Sequence, residues 1–181
     1  MKTAKLQVRD MCLIGIFTAM ITVLGQLSIP MPYGVPMTLQ TLTIPLAGVV
    51  LGARRGTIAT LVYVILGAVG LPVFAGFAGG IGVLFGATGG FILSFPLMAL
   101  AAGIGAEKGK VIPLACGLVI GAVINYLCGM VMFSLVTASS LWTAFAACVL
   151  PFIPTAIVKI ILAGALGAWL KNILVKGKIA I

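Results

Sequence analysis

Any chemistry in this sequence has to be built around Lys159. It stands alone in the apolar run PTAIVKIILAG, whereas the ten other Lys and Arg residues lie in short polar clusters. A cation inside a stretch apolar enough for a bilayer is costly and marks a functional site by default. The two acidic residues, Asp10 and Glu107, both lie in polar segments and offer it no partner nearby in sequence. Three readings are open. The side chain can snorkel to the headgroups, it can be carried neutral because burial disfavours the charged form, or an anion from outside can supply the missing charge. The third is favoured, because helix N-termini beginning near 89 and 153 would face the same way and their free N–H groups also attract anions. A pocket with one cation and few other polar anchors suits a mostly apolar molecule carrying a carboxylate.

The other candidate groups are sparse. Gln40 sits in a polar helix opening with Thr38, Thr41 and Thr43, and Asn125 and Tyr126 fall in the middle of an apolar run. The stretch from Gly70 to Phe91, GLPVFAGFAGGIGVLFGATGGF, is chargeless yet too rich in glycine for one continuous helix. In a bilayer, irregular backbone survives only where protein buries it or where it lines a watery cavity. Gly76, Gly79, Gly80, Gly82, Thr88, Gly89 and Gly90 are therefore expected to form a pocket wall, the alternative being a plain re-entrant connector. The sequence has no histidine, which excludes histidine metal centres, triads and proton relays. Cys12, Cys116, Cys128 and Cys148 stand apart in apolar surroundings, and each reads as a small core residue rather than a metal ligand or disulfide partner. Gly105 to Lys110, GAEKGK, has neither the spacing nor the hydroxyl residue of a phosphate-binding loop, so any ATP-driven work would need another polypeptide.

The elements that position these residues follow from composition. Residues are 62% hydrophobic and 7% charged, against roughly 25% charged in a soluble domain. At about 20 apolar residues per crossing, 181 residues allow about six spans in a single transmembrane domain over 1–181. Helices are expected over 11–29, 37–52, 56–71, 89–106, 111–136 and 153–170, giving an all-α integral membrane protein. The first is long for a signal peptide and lacks a clear cleavage site, so it reads as a retained helix. It carries a small-residue pair, Gly15 and Ala19, of the kind that lets helices approach closely in lipid, either for internal packing or for docking another membrane subunit. A proline-rich connector with Tyr33 follows it, Thr88 is expected to cap the helix starting at 89, and Pro96 to kink that helix.

Six crossings put both termini and the turns near 53–56 and 106–111 on one side. That side holds Lys2, Lys5, Arg9, Arg54, Arg55, Lys108, Lys110, Lys171, Lys176 and Lys178, while the opposite loops carry no charge. By the positive-inside rule both termini are cytoplasmic. The formal charge of +9 thus encodes topology rather than a nucleic-acid partner.

The segment VPMTLQTLTIPLAGVVLGARRGTIATLVYVILGAVGLPVFAGFAGGIGVLFGATGGF resembles the signature region of the BioY family, the biotin-capturing substrate-binding (S) components of energy-coupling factor (ECF) transporters. TLQTL, the GARRG turn, GLPVFAG and GGIGVLFGATGGF carry the resemblance, which extends in length and helix count over nearly the whole chain. It implies a six-helix S-component fold that binds its vitamin near the outer surface, without a cofactor. It further implies a cell-membrane complex with a transmembrane coupling protein and two cytoplasmic ATPases, in which the S component topples to release substrate. Some members act without a dedicated module. Gly15 and Ala19 resemble the docking surface for the coupling protein. The family's last helix commonly reads P-G-D-x-x-K, with acid and lysine both implicated in the biotin site. Here the run is Pro154-Thr155-Ala156-Ile157-Val158-Lys159, so the lysine is kept and the acid is Ala156. Lipoate and dethiobiotin, also apolar bodies with a carboxylate, stand beside biotin as ligands, and a structural membrane subunit without a ligand is the reading of a different class.

Overall fold

The computed structural model describes residues 7–31 and 34–177. Lys2, Lys5 and Lys178 of the basic set, and Pro32 and Tyr33 of the connector, lie outside these residues. Helix α1 is Val8–Gly25, followed by two short strands, β1 Ser28–Ile29 and β2 Met37–Thr38. Then come α2 Gln40–Ala68, α3 Ile81–Leu84, α4 Gly89–Glu107, α5 Val111–Thr137, α6 Leu141–Cys148 and α7 Ile153–Lys176. Single 3-10 turns lie at Ala75–Phe77 and Leu150–Phe152.

Five runs among the described residues are long and apolar enough to cross a membrane, and one of them is the whole of α2. That helix is in fact a hairpin. Gly52 adopts φ 81° and ψ 172°, a left-handed conformation that glycine reaches without steric cost. Beyond it the chain folds back. A Cβ on Gly56 would lie 2.6 Å from the Gly48 Cα, whereas eight residues of unbroken helix span about 12 Å. Gln40 likewise donates a hydrogen bond from Nε2 to the Tyr63 hydroxyl, 23 residues away. The arms 40–51 and 53–68 therefore run antiparallel, and with α1, α4, α5 and α7 they make six long helical segments in a nearly all-helical fold.

Small residues set how closely these segments pack. Gly48 lies against the Ala99 carbonyl, Gly103 against the Ala53 backbone, and a Cβ on Gly105 would sit 3.2 Å from the Gly117 Cα. Lipid tails are as apolar as leucine, so helix contact in a bilayer relies on close van der Waals approach. The α2 arms and α4 form the centre, with Ile44, Ala47, Val50, Ala59, Phe95, Met98 and Ala99 in one buried cluster. On α1 the residues Leu13, Ile14, Phe17, Thr18 and Ile21 face this core at helical spacing, and Thr18 Oγ1 donates to the Ala59 carbonyl at 3.0 Å. Gly15 and Ala19 fall on the opposite, exposed face.

One end of the bundle gathers the charges. Arg55 Nε lies 3.1 Å from Asp10 Oδ1, Ala53 N–H donates to Glu107 Oε1 at 2.8 Å, and Lys171 Nζ donates to the Ala106 carbonyl at 3.4 Å. Glu107 thus caps the N-terminus of the second α2 arm and Lys171 the C-terminus of α4, each with the sign the helix dipole favours.

Several local expectations differ from what is found. Helix α1 stops at Gly25 because Ser28 and Ile29 pair antiparallel with Thr38 and Met37, so the connector closes a small ribbon. Thr88 occupies the N-cap position of α4 but makes no side-chain cap bond, and α4 continues through Pro96. The segment after Ser140 is helical, since Ser140 Oγ accepts the Thr143 N–H at 3.1 Å and starts α6. Cys148 alone of the four cysteines is buried; Cys12, Cys116 and Cys128 face outward, where a thiol costs nothing against lipid.

Gly48→Leu is expected to lower thermal stability of the detergent-purified protein by about 1–3 kcal/mol, the usual cost of overpacking. Gly15→Leu, at a position whose Cβ would meet nothing within 4 Å, should leave it within about 0.5 kcal/mol. Equal melting shifts for the two variants would refute the packing assignment.

Candidate functional site

At the uncharged end, the non-helical segments and the helix ends enclose a cavity of about 240 Å³. The connector contributes Val35 and Pro36, and the start of α2 contributes Gln40 and Thr41. The glycine-rich loop supplies Phe74, Ala75 and Ala78; α4 supplies Phe91, Ile92 and Phe95, just beyond Thr88. Tyr126 of α5, Cys148 of α6, Phe152 and Lys159 close the far side. The lining is predominantly aromatic and aliphatic.

Lys159 enters this cavity from α7, about 8 Å along the helix from Pro154. Its Nζ donates to the Thr38 carbonyl at 2.7 Å and to Thr41 Oγ1 at 3.0 Å. The lysine is thus not bare, as its isolation in the sequence implied. Both partners are neutral oxygens, however, and an ammonium has three N–H donors. The chain's two carboxylates are held at the other end, by Arg55 and by the Ala53 N–H. Among the described residues, no carboxylate is paired with Lys159.

Four of the expected residues line the cavity: Lys159, Gln40, Thr88 and Tyr126. Gln40 is buried and its amide is committed to the wall. Nε2 donates to the Tyr63 hydroxyl, Oε1 accepts from Thr38 Oγ1 at 3.1 Å, and the Tyr63 hydroxyl donates onward to the Val73 carbonyl at 3.2 Å. This chain joins both α2 arms to the glycine-rich loop. Tyr126 stacks edge-on against Phe91 with ring centroids 6.3 Å apart.

Asn125 faces a smaller hollow of about 10 Å³ beneath the main cavity, shared with Thr41, Tyr126, Ala156 and Lys159. Its Nδ2 donates to the Phe91 carbonyl and to Ser94 Oγ, both at 2.8 Å. A carbonyl only accepts, so the amide orientation is determined and Oδ1 must point the other way. That oxygen is buried without a partner. Buried acceptors are rarely left so, and this residue lines the same hollow as Lys159.

The glycines act differently from the expectation. Gly76, Gly79, Gly80, Gly82, Gly89 and Gly90 do not line the cavity. Gly79 packs on the Leu71 carbonyl, Gly89 on the Leu84 carbonyl and Gly90 on the Cys128 carbonyl, where a Cβ would not fit. These three let backbone approach backbone, whereas a Cβ on Gly76, Gly80 or Gly82 would meet nothing within 4 Å; the loop side chains Phe74, Ala75, Ala78 and Val83 line the cavity. Thr41 was legible as part of the polar opening of α2. Phe74, Phe91, Phe95 and Phe152 carried no signal, because aromatic residues occur throughout a chain this apolar.

A largely apolar cavity with one lysine held by neutral oxygens and a few hydroxyls, and a neighbouring hollow with an open amide oxygen, has the chemistry to take an amphipathic anion. The sequence model of the BioY family matches residues 1–176. A biotin transporter BioY of Rhodobacter capsulatus is 40% identical over 171 residues, covering 86% of this chain and 90% of that protein. A probable biotin transporter BioY of Pyrococcus horikoshii is also 40% identical, over 85% of this chain and 91% of its own length. Among solved structures, the crystal structure of the S-component for biotin from an ECF-type ABC transporter superposes with a TM-score of 0.85 at 28% identity, covering 93% of this chain and 95% of that one. By family match, relatedness over most of both lengths and shared architecture, this chain belongs to the BioY family.

Proposed function

We propose that this protein is the biotin-binding S component of an ECF transporter, a carrier subunit rather than an enzyme. The single observation that carries the reading is Lys159, whose ammonium faces an apolar cavity with only neutral partners. Relatives named as biotin transporters, and the likeness to a biotin S component, support the choice of ligand. The valeryl carboxylate would take Lys159, exchanging a neutral contact for a charge-assisted one, and the ring system would lie against Phe74, Phe91 and Phe152. Thr41, Thr88 and Tyr126 would supply hydroxyl contacts. Asn125 Oδ1, in the hollow that it shares with Lys159, would lie at the carboxylate end, while Gln40 and the glycines hold the wall in shape.

The single transmembrane domain would lie with its basic end, and both termini, in the cytoplasm. This follows from the positive-inside rule and opens the cavity to the outside. The exposed Gly15 and Ala19 face of α1 would dock on a transmembrane coupling protein, and two ATPases would supply the hydrolysis for which this chain has no phosphate-binding loop. Biotin is cargo, and the reading requires no cofactor.

Two binding measurements test it. Lys159→Ala is expected to weaken biotin by 10- to 1,000-fold in calorimetric titration, since a hydrogen bond to a charged group is worth about 1.5–3 kcal/mol and a lost ion pair adds to it. The same variant should bind biotin amide as the wild type does; equal loss for acid and amide would sink the ion-pair assignment. Lipoate has the carboxylate but no ureido group for the Thr88 and Tyr126 hydroxyls of the main cavity. It should bind at least tenfold more weakly than biotin, as expected when two hydrogen bonds worth about 0.5–1.5 kcal/mol each are lost. Parity between the two would reduce the site to a carboxylate clamp, and no response to either would favour a structural subunit.

A further inference from the structure

Gln26 stands one residue beyond the end of α1 and has spent its whole amide on the glycine-rich loop and its own helix. Nε2 donates to the Val73 carbonyl at 3.1 Å and to the Thr22 carbonyl at 3.3 Å, and Oε1 accepts the Phe77 N–H at 2.8 Å. Val73 and Phe77 bracket Phe74 and Ala75, which line the cavity. Across it, the Phe74 N–H donates to the Ala78 carbonyl at 2.9 Å, just beyond Phe77, and closes the loop on itself.

Phe77 shows that this loop is held rather than resting. Its φ is +57°, an outlier for a bulky non-glycine residue. Its side chain is 71% exposed, so no burial of the ring offsets the strained backbone. Such conformations persist where surrounding contacts over-determine them, and the contact on the Phe77 amide comes from Gln26.

We infer that Gln26 is a positioning residue, a latch that holds loop 73–78 as a wall of the ligand cavity and ties that wall to the end of α1. Without it, Phe77 relaxes to negative φ, the bracket around Phe74 and Ala75 loosens, and the ligand leaves faster. This deepens the binding reading given above and rests on it for the ligand, though not for the latch itself.

The test uses the full chain in nanodiscs, as wild type, Gln26→Leu and Gln26→Glu. In ligand-free Gln26→Leu the amides of 74–78 should exchange hydrogen at least tenfold faster, with those of α4 and α5 unchanged. Biotin should dissociate about tenfold faster from the same variant. Gln26→Glu keeps the acceptor for the Phe77 N–H but not the donor to Val73, so it should restore protection at Phe77 and fall between the other two in dissociation rate. Wild-type exchange of the loop in Gln26→Leu would overturn the latch, and faster exchange with unchanged dissociation would overturn its role in the site. If the wild type bound no biotin, the functional reading would fall, and the exchange data alone would decide the latch.

Discussion

Backbone that leaves the helical state inside an apolar protein must find its hydrogen-bond partners within the chain, because lipid offers none. Three non-helical places here find such partners within the chain. The reversal at Gly52 is met by Glu107, whose carboxylate takes the Ala53 N–H. The connector after α1 satisfies itself through the β1–β2 ribbon. The glycine-rich loop relies on two glutamines, Gln26 directly and Gln40 through Tyr63. Two of these three lie at the uncharged end, and the cavity is the space they enclose.

Close helix packing makes the bracing possible. Where Gly48 meets Ala99, Gly103 meets Ala53 and Gly90 meets Cys128, backbone touches backbone. Short interaxial distances bring polar groups far apart in sequence within hydrogen-bond reach. Lys159 to Thr38 spans 121 residues and Gln26 to Phe77 spans 51. With so few polar side chains in the chain, nearly every buried one has a structural duty, and the unspent oxygen of Asn125 stands out against that background.

The same economy separates the two ends of the molecule electrostatically. Among the described residues, Asp10 and Glu107, with Arg55 and Lys171, are paired or used as helix caps at one end. Lys159 is left at the other end with neutral oxygens. A buried charge without a counter-ion is unfavourable, and an anionic ligand relieves that cost in a way a neutral one does not. On the proposed reading, affinity and selectivity for a carboxylate would come from one residue and from the absence of Asp and Glu near it among the described residues.

By itself the sequence determined the number of long helical segments, the reversal at the GARRG turn, the segregation of charge to one end and the singularity of Lys159. Each of these is a local property: hydrophobic run length, a glycine that can take positive φ, or the position of a charge relative to apolar blocks. Only the tertiary structure decided what the side chains do. It turned Gln40 into part of the wall, set Gly79, Gly89 and Gly90 against backbone carbonyls outside the cavity lining, gave Lys159 its partners Thr38 and Thr41, and showed Gln26 bonded to the loop. The physical reason is that a hydrogen bond joins groups brought together by packing, across 23 to 121 residues here, and neither composition nor periodicity records which distant donor meets which acceptor.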